Sequence, residues 1–163
     1  MNNVTKIACQ LSIVFASASL AAAPLPKEGP VNLVTCFVGD ISSMEVSKEN
    51  QFSSIHVNGL RFAPTEGAWG DATTFECTVQ ISADATGRSA TGVCVTVDAD
   101  GDKVSSDLAG KNGVGKWNFI SGTGKYAGIT GSGEYKPIRK FPAVMQQGKI
   151  GSCNSTTGTY KTP

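Results

Sequence analysis

The sequence predicts an all-β domain, either a sandwich or a barrel, on three observations. Short β-rich segments broken by turn signals run along most of the chain. No window shows a convincing helical period. The third is the stretch from Gly115 to Tyr135, GKWNFISGTGKYAGITGSGEY, where Gly122, Gly124, Gly128, Gly131 and Gly133 alternate with the β-formers Tyr126, Ile129, Thr130 and Tyr135. Glycine takes positive φ without penalty, so this density predicts reversals, bulges and the corners of a strongly curved sheet.

The first 23 residues have the form of an export signal. Lys6 supplies the positive start, Ile7 to Leu20 is apolar and small, and Ser19-Leu20-Ala21-Ala22-Ala23 offers small residues for cleavage after Ala21. The apolar run is too short and serine-rich for a good membrane span, and Cys9 lies too near the start for a lipoprotein cysteine. The mature protein is therefore expected to be secreted or periplasmic. It keeps 13 basic and 13 acidic residues, scattered without a basic stripe. That balance argues against nucleic acid and anionic membrane as partners. The densest cationic cluster, Lys136-Pro-Ile-Arg139-Lys140, is expected to be a solvated loop.

Residues 24–32, with Pro24, Pro26, Gly29 and Pro30, are expected to form an irregular lead-in to a single domain over 33–163. Its β segments are Leu33–Ile41, Phe52–Phe62, Thr73–Ser82, Gly92–Asp98, Lys103–Leu108, Gly115–Ser121, Ile129–Pro137 and Gly158–Lys161. Residues 42–51, SSMEVSKENQ, are expected to be a polar loop.

Two phosphate-binding readings of the glycine-rich stretch fail on context. Gly122-Thr-Gly124-Lys-Tyr-Ala-Gly128 has the spacing of a dinucleotide fingerprint, but the next residues, ITGSGEY, cannot open a helix. As a phosphate loop it has Phe119 in place of the first glycine and Tyr126 in place of Ser/Thr. The run GTGKY-x-GI-x-G-x-G-x-Y instead resembles the hairpin signature shared by the allene oxide cyclase and dirigent families, with Ser121 where those families usually carry a first glycine. The hairpin Asp98 to Lys103, the cysteines and the C-terminal Gly-Thr-Tyr bring the likeness closest to the bacterial allene oxide cyclase barrel-like branch, over most of residues 33–162. The resemblance implies an eight-stranded, calycin-like antiparallel β-barrel and a homotrimer. It transfers no active-site residue.

Four cysteines follow the leader: Cys36, Cys77, Cys94 and Cys153. An even number after an export signal predicts two disulfides, with three pairings open. Successive strands favour Cys77–Cys94, and the meeting of first and last strands in a closed barrel favours Cys36–Cys153. Without a Cys-x-x-Cys pair, and with a single histidine, His56, a zinc site is not expected. Several strands carry apolar residues on both faces, as where Val93, Val95 and Val97 oppose Cys94 and Thr96. This suits a lumen lined by one set and an exterior partly covered by another subunit.

Reactive chemistry has few candidates. Asp98-Ala-Asp100-Gly-Asp102 could offer oxygens to calcium, but Asp-Gly is a favoured turn and Ala109 occupies the closing position of a calcium loop, so a turn is expected. No Gly-x-Ser-x-Gly elbow accompanies His56, which is expected to be an ordinary strand or core residue. Glu76 and Glu134 are the acid/base candidates if they point into an apolar lumen, although a strand carboxylate usually faces outward. Arg61 could stabilise an anionic group in the same cavity. Trp117, Phe119, Tyr126 and Tyr135 are the candidate ligand-stacking residues, with core packing as their commoner role. No cofactor or metal is implied.

Two functions of different class emerge. One is an exported barrel binding a small hydrophobic or aromatic molecule in its lumen. The other is a cyclase-like or dirigent-like enzyme that steers a reactive intermediate by shape and water exclusion. A barrel acting only through its surface is the third. A lumen choked by Trp117 and Phe119 would leave only the third. Glu76 or Arg61 inside an open lumen would favour an enzyme, and Ser and Thr alone would favour binding.

Overall fold

The computed structural model describes residues 26–140 and 148–163. The expected leader and its cleavage site lie outside the described residues. The strands are β1 (Glu28–Ser47), β2 (Asn50–Phe62), β3 (Thr73–Asp84), β4 (Gly87–Val97), β5 (Lys103–Lys111), β6 (Val114–Gly122), β7 (Thr130–Lys140) and β8 (Lys149–Lys161). One 3₁₀ turn, Gly124–Tyr126, lies between β6 and β7. Each strand pairs antiparallel with the next, and β8 returns to β1, so the eight strands close a barrel without a free edge.

Closure follows from strand alternation. On β1, Val31, Leu33 and Thr35 are buried while their neighbours Asn32 and Val34 are exposed. On β3, Thr73, Phe75 and Cys77 point inward and Thr74, Glu76 and Thr78 outward. On β4 the inward set is Cys94 and Thr96, and Val93 is half exposed on the outside. Two apolar clusters result. Val31, Leu33, Trp69, Val104, Trp117, Tyr126, Ile129 and Tyr160 plug one end. Ile55, Val57, Phe75, Cys77 and Cys94 form the wall above it.

Both expected disulfides are present, and each joins residues directly opposite in register: Cys36 with Cys153 across the β1–β8 seam, and Cys77 with Cys94 across β3–β4. The second lines the lumen.

Three local expectations need correction. The irregular lead-in gives way to strand at Glu28, and Val31 within it is buried in the core. Pro30 is tolerated there because β1 pairs only with β8 before Val34, so one side of the strand needs no N–H donor. Residues 42–47 and 50–51 are strand, not loop: Met44 pairs with Phe52, the Ser43 and Ser53 hydroxyls meet at 2.8 Å, and only Lys48 and Glu49 turn. The cationic cluster from Lys136 is the end of β7, with an irregularity between Pro137 and Arg139 that accommodates the proline.

Candidate functional site

Inward-facing residues of the barrel enclose a cavity of about 470 Å³. Its floor is set by the β2–β3 connection. Asp71 accepts hydrogen bonds from the backbone N–H of Ala63 (2.8 Å) and Gly67 (3.1 Å), which pull its carboxyl below the usual range, and Thr73 Oγ1 donates to Gly70 O (2.8 Å). So anchored, the connection turns Trp69 back under the barrel. There its ring stacks on Tyr160 (5.4 Å between centroids) and tilts against Phe119 (5.1 Å).

Glycines in β6, β7 and β8 let the large rings lie flat. A Cβ on either Gly133 or Gly158 would stand 2.7 Å from Trp117 Cζ2, and one on Gly115 would stand 2.6 Å from the Tyr135 hydroxyl. Trp117 therefore spreads over the bare backbone of the Gly133–Gly158 pair instead of filling the lumen.

The walls above the floor are mainly apolar, with Phe37, Ile55, Val57, Phe75, Val79 and Leu108 among them. Polar groups are few. Thr35 Oγ1 and Thr156 Oγ1 meet at 3.2 Å, and Ser106 and Asn154 also reach the cavity. Among the described residues the lining carries the charged side chains Arg88, Asp107, Lys149 and, beside Phe75 and Thr96, Arg61. Its guanidinium lies 4.8 Å over the Phe75 ring, and Nη1 donates to Thr96 Oγ1. Its Nε is buried without a partner, and burial lowers its pKa to about 10. The indole N–H groups of Trp69 and Trp117 are likewise buried without acceptors. All three residues line the same cavity.

Of the residues singled out in the sequence, Arg61, Trp117, Phe119 and Tyr135 come together on this cavity. Tyr126 lies below it in the floor plug. Glu76 and Glu134 stand exposed on the outer face, across from Asn58 and Thr157. His56 is also outside, 3.5 Å from Thr78 Oγ1. Asp98, Asp100 and Asp102 form a turn: Asp98 Oδ1 accepts from the N–H of Asp100 (2.9 Å) and Asp102 (3.0 Å), with Gly101 at φ 86°. Lys125 Nζ bridges the carboxylates of Asp98 and Asp100. Burial pushes the Asp98 carboxyl up, but hydrogen bonds from Lys125 and the turn more than offset it and leave it lowered.

Sequence reasoning missed the polar lining. Thr35 could have been found, because it sits in phase with Leu33 and Phe37. Asn154 and Thr156 carried no signal, since the run SCNSTTG lacks apolar alternation. No family model and no curated protein sequence matches this chain. Among the described residues no helix is long and apolar enough to cross a membrane.

Proposed function

We propose that the protein is an exported barrel that takes a small, largely apolar molecule into its lumen. The observation that carries this is the cavity of about 470 Å³ above the aromatic floor. It falls within the roughly 300–1,000 Å³ of small-molecule sites and has their character, an apolar lining with a few placed polar groups. A side-chain-filled barrel working through its surface would have no such space.

One observation favours the cyclase-like or dirigent-like alternative: Arg61 lies inside the lumen, where it could stabilise charge in a reacting intermediate. Glu76 and Glu134 are outside, so such an enzyme would act by shape and by Arg61, without those carboxylates. A homotrimer is part of the same proposal. Its support is the outer face of β1 and β2, where Val38, Leu60 and Phe62 are each about half exposed.

Native mass spectrometry of the protein purified from its own host tests these points together. The expected spectrum shows a trimer with two disulfides per chain and a retained small molecule. Titration with the neutral fluorophore 1-aminoanthracene is expected to show saturable binding, one probe per barrel. A barrel that neither retains a molecule nor admits this probe would overturn the proposal.

A further inference from the structure

Among the described residues the lumen holds a charge with no counter-charge. Arg61 projects into it from β2, yet no acidic side chain faces it from the strands around it. Asp107, at the cavity wall, accepts a hydrogen bond from Asn118 Nδ2 (2.9 Å) on the outer face instead. Glu76 and Glu134 are outside, and Asp98 and Asp100 are held by Lys125 beneath the floor. Buried cations are normally paired, because desolvation without compensation is costly. The hydrogen-bonding groups are equally one-sided. Among the described residues four buried side-chain atoms have no hydrogen-bond partner: the three on this cavity, Arg61 Nε, Trp69 Nε1 and Trp117 Nε1, are donors, and the fourth, Asp98 Oδ2, lies beneath the floor 2.7 Å from Lys125 Nζ.

Three donors left without partners on one cavity are complementary to a ligand that brings negatively charged oxygen. We infer that the ligand is a compact, ring-bearing carboxylic acid bound with its carboxylate down on Arg61 and its apolar body toward the β3–β4 and β5–β6 hairpins. This inference rests on the lumen-binding reading and names the ligand class within it. A carboxylate suits the planar fork of a single guanidinium, whereas a phosphate dianion would call for a second cation beside Arg61, and of the others on the lining Lys149 is paired with Asp40 and Arg88 stands at the hairpin end. The rings of Phe37, Phe75, Phe119 and Tyr135 favour an aromatic body over a flexible chain. At the hairpin end Arg88 also lines the cavity, exposed and in no ion pair among the described residues, where it draws anions toward the entrance.

The test uses the mature, disulfide-bonded protein with 1-aminoanthracene bound at pH 7.4. Displacement by 2-naphthoic acid is compared with displacement by methyl 2-naphthoate, which has the same ring and no charge. The acid is expected to bind at least about tenfold more tightly, the equivalent of one charge-assisted hydrogen bond. In Arg61→Met and Arg61→Gln the ratio of acid to ester affinity is expected to fall to about one, and Arg61→Lys should keep part of the acid's advantage. Equal binding of acid and ester by the unaltered protein would overturn the inference and leave the lumen reading standing, with no variant required to fold. If 1-aminoanthracene itself fails to bind, the lumen reading falls and this inference with it.

Discussion

At Arg61 the proposed function and stability are set against each other in a single residue. Burial disfavours the charged form of its guanidinium and lowers its pKa from the ordinary 12.5 to about 10. The folded protein therefore holds fewer protons than the unfolded chain between those values, and stability rises with pH across that window. Below it the cost of the buried charge is present in full, on the order of 3 kcal/mol. Arg61→Met keeps the length of the stem and removes the charge. It is expected to raise the midpoint of urea unfolding of the empty barrel at pH 7, even as it removes carboxylate selectivity. A lowered midpoint would show that the Thr96 and Phe75 contacts outweigh the burial cost.

The glycines, also at the scale of the residue, divide into two kinds. Gly124 and Gly128 have positive φ and serve the reversal for which the sequence marks them. Gly133 and Gly158 do not; they are strand glycines whose missing Cβ makes room for Trp117. Both kinds look alike in a sequence, because the requirement on the second comes from a ring on a neighbouring strand.

At the scale of elements, the two disulfides differ in the loops they close. Cys36–Cys153 spans 117 residues and Cys77–Cys94 spans 17. In the chain-entropy model the seam bridge is worth about 4–5 kcal/mol and the hairpin bridge about 3. Cys36→Ala/Cys153→Ala is accordingly expected to lower unfolding stability more than Cys77→Ala/Cys94→Ala, measured by urea titration of both double variants. The reverse order would mean that filling the lumen wall matters more than holding the seam. Strand lengths were harder to foresee. β8 runs from Lys149, but only Gly158–Lys161 stands out in the sequence, since Ser152, Asn154 and Thr156 face the lumen where apolar residues usually mark a strand. The hairpin of residues 42–51 was obscured in the same way, because Met44, Val46 and Phe52 at its end are exposed and no core face sets its period.

At the scale of the molecule, the proposed binding depends on empty space, and closing that space should weaken it without unfolding the chain. Ala90 lines the cavity near the hairpin end, opposite Ile81 and Gly110 in register. Ala90→Trp is expected to block the lumen and to reduce 1-aminoanthracene binding by at least about tenfold, or 1.4 kcal/mol. Its circular dichroism and disulfides should match those of the unaltered protein. Unchanged probe binding would locate the probe elsewhere than the lumen.

The sequence by itself determined the all-β class and the turn at Asp98–Asp102, and among three open pairings it favoured the two disulfides observed, because turn chemistry, strand alternation and cysteine placement are local signals. Only the tertiary structure decided that space remains inside, that Arg61 faces it and that Glu76 and Glu134 do not. Those outcomes depend on which way each strand's alternation points once eight strands close together, and on how far Trp117 and Trp69 can lie back over glycine and floor. No single strand carries that information.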